Sequence, residues 1–551
     1  MATITARAPT AERGGSDRRP LAGVGVLARF ALRRDRIRIP AWIAGLTLGS
    51  VVNLVSFDDL YPTEADRQAV AETMNTPAGL AMTGPAEYLR DYTAGAMMGH
   101  QLLGFTTLLA ALMSVLMLVR HTRAEEESGR AELVRATVVG RHAHMAAALA
   151  AVVATNLVLA VVLAGALAGT GGTGVTATGS LLYGLAHAAV GIVFAGIAAV
   201  TVQITEHSRG ASGMGLAAIA VAYALRAAGD IGEGRLSWLS PIGWAQATRV
   251  YVDDRWWPLL VAAAAAVALV AAGVLLSTRR DVGAGLRRPR QGRGDASVAL
   301  GRPIGLAVRL HRGLLIGFAA ALALLGTMYG SILSEVEDML AGVEMLEEAL
   351  AEMGGASIVE SFVSMVMVVL AILASVYVVL AALRPRAEES DGRAEPVLAT
   401  AVSRARWLAS HVVVGMLGGV VVLAAAGLGL GLAGALSLRD STVLTDAMGA
   451  ALAYAPALWL TGGLAVALFG LAPRLATLTW VVPVYGFVVS YLGQMLQFPE
   501  WMNNLSPFGH VPDLPAEELA VLPLLLLTAI AAGLTLLGLS AFRQRDLRTD
   551  H

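Results

Sequence analysis

Long apolar runs, almost free of charge, alternate with short polar segments along the whole chain. Crossing about 30 Å of hydrocarbon at 1.5 Å per residue takes about 20 apolar residues. Runs of that order lie near residues 39–57, 95–119, 143–168, 181–205, 213–229, 258–278, 313–333, 360–383, 408–436, 447–471, 475–496 and 519–541. In hydrocarbon a helix satisfies its own backbone N–H and C=O groups, so the pattern predicts an all-α polytopic membrane protein with twelve transmembrane helices. The run at 39–57 follows an Arg-rich stretch and has no small-residue cleavage site, so it reads as a retained first span rather than a signal peptide.

Composition agrees and removes several alternatives. Hydrophobic residues make up 56% of the 551 positions and charged residues 15%, with a mean hydropathy of +0.65. There is no Cys, which rules out disulfides, thiolate metal sites and a cysteine nucleophile. The net charge of -1 gives no support to nucleic-acid binding. All 40 basic residues are Arg. They gather in the N-terminal tail, the loops after even-numbered spans and the C-terminal tail; basic loops resist translocation, so both termini are predicted to be cytoplasmic. The long outer segments Asp58–Asp91 and Glu335–Glu352 are acidic instead and read as solvated faces. In the second, Val336, Met339, Leu340, Val343, Leu346 and Leu350 recur at helical spacing and predict an amphipathic outer helix.

Two segments occur twice. Arg123 to Arg141 reads RAEEESGRAELVRATVVGR and Arg386 to Arg404 reads RAEESDGRAEPVLATAVSR, identical at 13 of 19 positions at an offset of 263 residues. Leu239-Ser240-Pro241-Ile242-Gly243 pairs with Leu505-Ser506-Pro507-Phe508-Gly509 at an offset of 266. Two different matches at nearly one offset define a duplication. Each unit holds an even number of spans, so the two six-helix repeats are predicted to run parallel. The expected domains are a tail with an interfacial amphipathic helix (1–38), a first six-helix half (39–278), an Arg-rich cytoplasmic linker (279–312), a second six-helix half (313–541) and a tail (542–551).

Within the first repeated loop, Arg123, Glu126 and Arg130 fall within helical reach of one another, and Glu125, Gly129 and Glu132 do so more loosely. A short charged helix on the inner membrane surface follows, weakened or ended by Gly129. Fixing topology needs the Arg residues but not the reproduced Glu pair and Gly-Arg-Ala-Glu run. Fixed charges of both signs suit a polar, geometry-specific contact with a soluble partner. Acid/base catalysis is a weaker use, because these carboxylates would face the cytosol rather than a dry pocket. The copies are unequal: Glu127, Ser128, Leu133 and Arg135 are matched by Ser390, Asp391, Pro396 and Leu398.

A six-span unit with a basic segment before its first span (Leu21 to Arg38), a charged loop between spans two and three, and a Pro-Gly outer turn before span six resembles the permeases of type-2 ABC exporters. The duplicated form with the RAEEE and GRAEL loop is similar to actinobacterial permeases for polyketide-antibiotic (tetronasin-type) and multidrug export. The resemblance covers nearly the whole chain and implies a bacterial plasma-membrane protein. It implies that the loop between spans two and three is a coupling helix resting on an ATP-binding subunit, which on this chain assigns Arg123, Glu125, Glu126, Gly129, Arg130 and Glu132, and Arg386, Glu388, Glu389, Gly392, Arg393 and Glu395. The segments holding Leu239, Ser240, Pro241 and Gly243, and Leu505, Ser506, Pro507 and Gly509, would be short re-entrant helices closing the outer exit.

The same resemblance implies a substrate path between spans two and five of facing halves. Its candidates are His100, Gln101 and Phe105 on span two, Tyr223 and Arg226 on span five, Phe362, Met365, Met367 and Tyr377 on span eight, and Tyr485, Phe487, Tyr491 and Gln494 on span eleven. An aromatic, Met-rich lining suits bulky amphipathic cargo through plastic packing. Arg226 and His100 also sit where they could snorkel to the outer interface. Asn156, His187, Gln203 and His411, on other spans, are expected to bond across helices, and Gly415 to Gly419 and Gly427 to Gly431 have the spacing for close helix approach.

A Walker A loop requires G-x-x-x-x-G-K-[ST], and there is no Lys to complete one. ATP and Mg would therefore sit on a partner, and the chain is expected to bind no cofactor or metal and to be a transport subunit rather than an enzyme. The expected assembly is one copy with two ABC ATP-binding subunits, membrane lipid and a hydrophobic small-molecule substrate. The alternative, an ion-coupled secondary transporter with parallel six-helix repeats, calls for a carboxylate well inside a span, whereas Glu206, Glu360 and Asp446 sit at boundaries. A membrane-embedded enzyme would want an acid/base cluster; His142 and His144, two residues apart, fall on different helix faces.

Overall fold

The computed structural model describes residues 20–232, 234–281, 283–287, 294–334, 357–492 and 499–546. Regular structure among them is helical throughout. Eleven helices among the described residues are long and apolar enough to cross a membrane, from Arg38–Leu60 to Val521–Gln544. The run at 475–496 forms a 3-10 turn, Ala476–Trp480, and a helix, Val481–Leu492, and ends at the last described residue before 499. Gln494, the predicted outer helix at Glu335–Glu352 and the outermost parts of both tails lie outside the described residues.

The chain divides into two compact units, Met1–Gln291 and Gly292–His551. In the first unit the central helix is Ala177–Ile204, which packs on Leu103–His121, Ala143–Ala168 and Trp257–Ser277. Small residues permit this closeness: a Cβ on Gly184 would sit 2.3 Å from the Ala160 carbonyl oxygen. Polar bonds also join helices of this unit. Asn156 Nδ2 donates to Ser114 Oγ at 2.9 Å, and His187 Nε2 meets Thr106 Oγ1 at 2.8 Å. By contrast, Trp257–Ser277 exposes Leu260, Val267 and Leu275, the outward face expected of a helix bathed in lipid. The amphipathic helix before the first span is Val24–Arg34, which exposes Val26 and Phe30 while burying Ala31. Just past its end, Asp35 pairs with His121 at 2.5 Å and Arg120 at 3.4 Å, tying it to the foot of span two.

The second unit is built on two glycine-lined crossings. Arg404–Leu438 lies against Pro303–Ser331 so closely that a Cβ on Gly429 would fall 2.1 Å from the Ala323 carbonyl oxygen, and one on Gly330 2.2 Å from that of Leu430. Ala455–Leu471 lies against Val521–Gln544, with Gly470 and Gly538 facing each other. His311 Nε2 bonds His411 Nδ1 at 3.0 Å across the first crossing. Pro303–Ser331 starts well before its apolar run: Pro303 is preorganised for the first helical turn, and the helix continues through Arg309 and Arg312. The tenth run is split into Thr442–Ala453 and Ala455–Leu471, with Pro456 in the first turn after the break, where a missing N–H costs least.

Candidate coupling loops and outer caps

Each repeated loop folds as two short helices joined at a glycine. In the first unit Arg123–Glu127 is followed by Gly129 at φ 74° and then Arg130–Arg135. In the second, Arg384–Ser390 is followed by Gly392 at φ 71° and then Ala394–Leu398. The left-handed conformation explains why the same turn carries glycine twice.

The charges of each loop split into two sets. Arg123 is fully buried. Its Nε donates to the Val202 carbonyl at 3.0 Å, and its other nitrogens reach Glu126 at 2.8 Å and the carbonyls of Gly283 and Ala284 at 3.3 and 3.2 Å. The carbonyls of Gln203 and Ile204 accept from the N–H groups of Leu286 and Arg287. The loop and the stretch after span six thus satisfy the open carbonyls at the end of span four. Glu126 takes both Nη atoms of Arg280 at 2.8 and 2.9 Å, and Arg280 Nε reaches Gln203 at 2.5 Å. Glu125 pairs with Arg34, and Glu127 holds the backbone N–H of Ser208 at 3.0 Å. Facing outward are Arg130 and Glu132, with Leu133 and Val138 fully in the open at 74% and 96% exposure.

In the second unit Glu388 binds Arg384 at 2.7 Å and Arg393 at 2.8 Å, while Glu389 takes Arg545 at 2.6 and 2.8 Å. Held by Glu388 and, at 2.6 Å, by Asp391, the Arg393 guanidinium keeps its proton more firmly than usual. Arg393 and Glu395 face outward, and Arg386 is half-buried. Glu126 with Arg280 and Glu389 with Arg545 are equivalent clasps, each fixing a loop to the residue just past the last helix of its unit. The sequence reading missed both arginines. The signal was present: Arg280-Asp281 and Arg545-Asp546 repeat at an offset of 265.

At the opposite end, Ser240 caps Pro241–Gln246 through the N–H groups of Ile242 and Gly243 at 3.2 and 3.3 Å, and its hydroxyl donates to the Ala222 carbonyl at 2.7 Å. A Cβ on Gly243 would fall 2.1 Å from the Ser237 carbonyl oxygen, so Ser, Pro and Gly each have a task there. Leu239 is exposed. In the second unit Ser506 caps the 3-10 turn Pro507–His510 through the N–H of Phe508 at 3.3 Å, Leu505 is exposed, and Gly509 lies against the Asn503 carbonyl.

Among the path candidates of the first unit, His100 and Tyr223 join this cap. His100 and Arg226 do not snorkel; both are fully buried. Part of the segment read as a solvated acidic face, residues 82–92, folds onto them. His100 Nε2 meets Thr83 Oγ1 at 3.0 Å and the Gly84 carbonyl at 3.1 Å, and its Nδ1 meets the Tyr92 hydroxyl at 2.8 Å. Gln101 donates to Tyr92 at 2.9 Å, Tyr223 to the Met82 carbonyl at 3.1 Å, and Gln246 to the Thr83 carbonyl at 2.7 Å. Arg226 lies over the Tyr223 ring at 4.4 Å and pairs with Asp230 at 3.3 Å. Burial pushes the Tyr88 and Tyr92 phenols up, so both stay protonated donors. Phe105 is exposed.

In the second unit Tyr377 packs against Phe318 and Phe362 against Tyr329, while Met367 is in the core and Met365 and Phe487 are exposed. Tyr485 donates to the Met502 carbonyl at 2.8 Å. Tyr491 lies on the helix ending at Leu492.

Long apolar helices whose ends are tied by polar loops define a multi-pass membrane protein, with no cluster of three potential metal ligands among the described residues. The model of the family "Multidrug efflux system permease Rv1217c, C-terminal domain" matches residues 27–276 and 300–543, and the chain belongs to that family. One relative is the multidrug efflux system permease protein Rv1217c of Mycobacterium tuberculosis (strain ATCC 25618 / H37Rv), 39% identical over 527 residues that cover 95% of each chain.

Proposed function

We propose that this chain is the membrane-embedded permease of an ATP-driven exporter that moves hydrophobic or amphipathic small molecules, drugs and antibiotics among them, out of the cell. Two copies of a separate ABC ATP-binding subunit hydrolyse the ATP, and both chain termini face them in the cytoplasm. The observation that carries this reading is the loop found twice, a helix pair turned at glycine, with one set of charges clasped to the spans and another turned outward. A loop gripped on its membrane side and charged on its open side suits transmission of a partner's motion into the helices. The name of the mycobacterial relative supports efflux, and the absence of Lys supports an ATP site on another chain. The two Ser-Pro-x-Gly turns serve as the outer closure, and the loop and turn that recur at offsets of 263 and 266 residues support a duplicated, twelve-span, parallel arrangement.

The test is to co-express the chain with a candidate ATP-binding subunit, reconstitute the purified complex in vesicles and follow a hydrophobic fluorescent substrate on addition of ATP. Charge reversal at Arg130 and Glu132, or at Arg393 and Glu395, should reduce ATP-driven transport at least tenfold with the chain still folded. Transport by the chain alone down an ion gradient, with no ATPase present, would overturn the reading.

A further inference from the structure

Below the first loop lies a cavity of about 220 Å³, room for about seven waters at ~30 Å³ each. It opens between the loop, the first turn of Ala143–Ala168 and the end of Trp257–Ser277, and its walls carry Arg135, Arg141, His142, His144 and Arg280. His144 Nε2 is buried there without a hydrogen-bond partner. No side chain caps the helix that begins at Ala143. Two carboxylates also line the space. Glu126 is already held by Arg123 and Arg280, and Asp281 lies at the exposed rim, so Arg135 and Arg141 leave an excess of positive charge.

The duplication supplies an internal comparison. At the offset of 263 residues that relates the loops, His144 is replaced by Trp407 and Arg135 by Leu398. There, Trp407 stacks on Phe542 at 5.7 Å, Phe542 stacks on Phe469 at 5.3 Å, and Arg545 is laid over both phenylalanine rings at 4.9 and 5.0 Å. One fold position is thus packed with aromatic rings in the second unit and is an open, cationic cavity in the first. A buried imidazole nitrogen with no partner is destabilising, and a bound ligand that pairs with it offsets that cost.

We propose that the cavity of the first unit binds a phosphate-bearing anion, its oxygens held by Arg135, Arg141 and His144 Nε2. Two guanidinium groups and an imidazole match the acceptor-rich surface of a phosphate, and the open N–H groups of the helix start add to the attraction. The phosphate comes from a lipid headgroup at the membrane surface or from a soluble phosphate. The site does not depend on the ATP-driven reading, because binding is read on the chain alone.

The test is calorimetric titration of the purified full chain in uncharged detergent, with inorganic phosphate in one arm and dihexanoyl phosphatidic acid in the other. Sodium chloride at matched ionic strength and dihexanoyl phosphatidylcholine are the controls. Saturable binding of either phosphate probe, weakened at least tenfold by Arg135→Gln and by His144→Trp, supports the site, and the arm that binds more tightly identifies the source. Arg135 is exposed, so its variant decides the matter even where the tryptophan variant fails to fold. Binding no stronger than the controls, or unchanged in Arg135→Gln, overturns the proposal.

Discussion

Glu126 and Glu389 each face two demands, since a carboxylate taken out of water must be matched and a loop carrying several charges must be held in one place. Both are met by one arginine placed just past the last helix of the unit, at side-chain exposures of 5–7% for Glu126 and Arg280. Removing one partner of such a pair leaves the other buried and uncompensated. Glu126→Gln and Glu389→Gln should therefore each cost about 3 kcal/mol of stability, checked by unfolding of the purified chain in mixed micelles. The double reversal Glu126→Arg with Arg280→Glu should recover part of the loss. Tyr377 is the opposite case, because its buried hydroxyl has no partner among the described residues. Tyr377→Phe is expected to be neutral or stabilising, within about 1 kcal/mol, by the same measurement. The repeated Glu pair drew the eye to these loops from sequence alone, but the direction each carboxylate faces did not follow. Glu125 and Glu126 are adjacent and of one type, yet one turns to Arg34 on the amphipathic helix and the other to Arg280, over more than 150 residues of chain.

Helices were the most legible elements, for the reason that hydrocarbon leaves the backbone no other arrangement. Their ends were less so. Hydropathy weighs side chains, whereas Pro303–Ser331 is helical through two arginines that it counts as breaks. The fold of residues 82–92 over His100 and Arg226 was illegible, because its bonds run mainly to backbone carbonyls, which leave no mark in a pattern of side chains. Glycine spacing gave a partial guide. Gly427 and Gly431 do meet a neighbouring helix, but a closer approach to a neighbouring backbone belongs to Gly429, between them and facing the other way. Gly429→Leu should destabilise the second unit by about 2 kcal/mol or more through overpacking against the Ala323 carbonyl. Gly45→Leu, with nothing within 4 Å of the point where a Cβ would stand, should leave the thermal midpoint unchanged. At the loop turns, Gly129→Ala should cost about 1 kcal/mol, because φ 74° strains any residue with a Cβ.

Across the whole chain the two units share a plan and differ in how firmly the plan is fastened. In the first, the loop is tied to span four by Arg123, to span five by Glu127, to the amphipathic helix by Glu125 and past span six by Glu126. In the second, Ser390 stands where Glu127 would be, and Glu388 spends its charge on Arg384 and Arg393 within the loop itself. Sequence comparison of the copies made this inequality visible as a row of substitutions, but only the fastenings give it a direction.

The aromatic stack beneath the second loop also bears on how the two halves of the chain meet water. Trp407, Phe542 and Phe469 are buried against one another at the foot of Arg404–Leu438, whereas the cavity beside His144 gives solvent a way in. Backbone deuterium uptake in detergent should then be fast at 142–146 and slow at 405–409, a contrast between two stretches that occupy the same position in their repeats. Equal uptake would mean that the polar cavity is as closed to solvent as its aromatic counterpart.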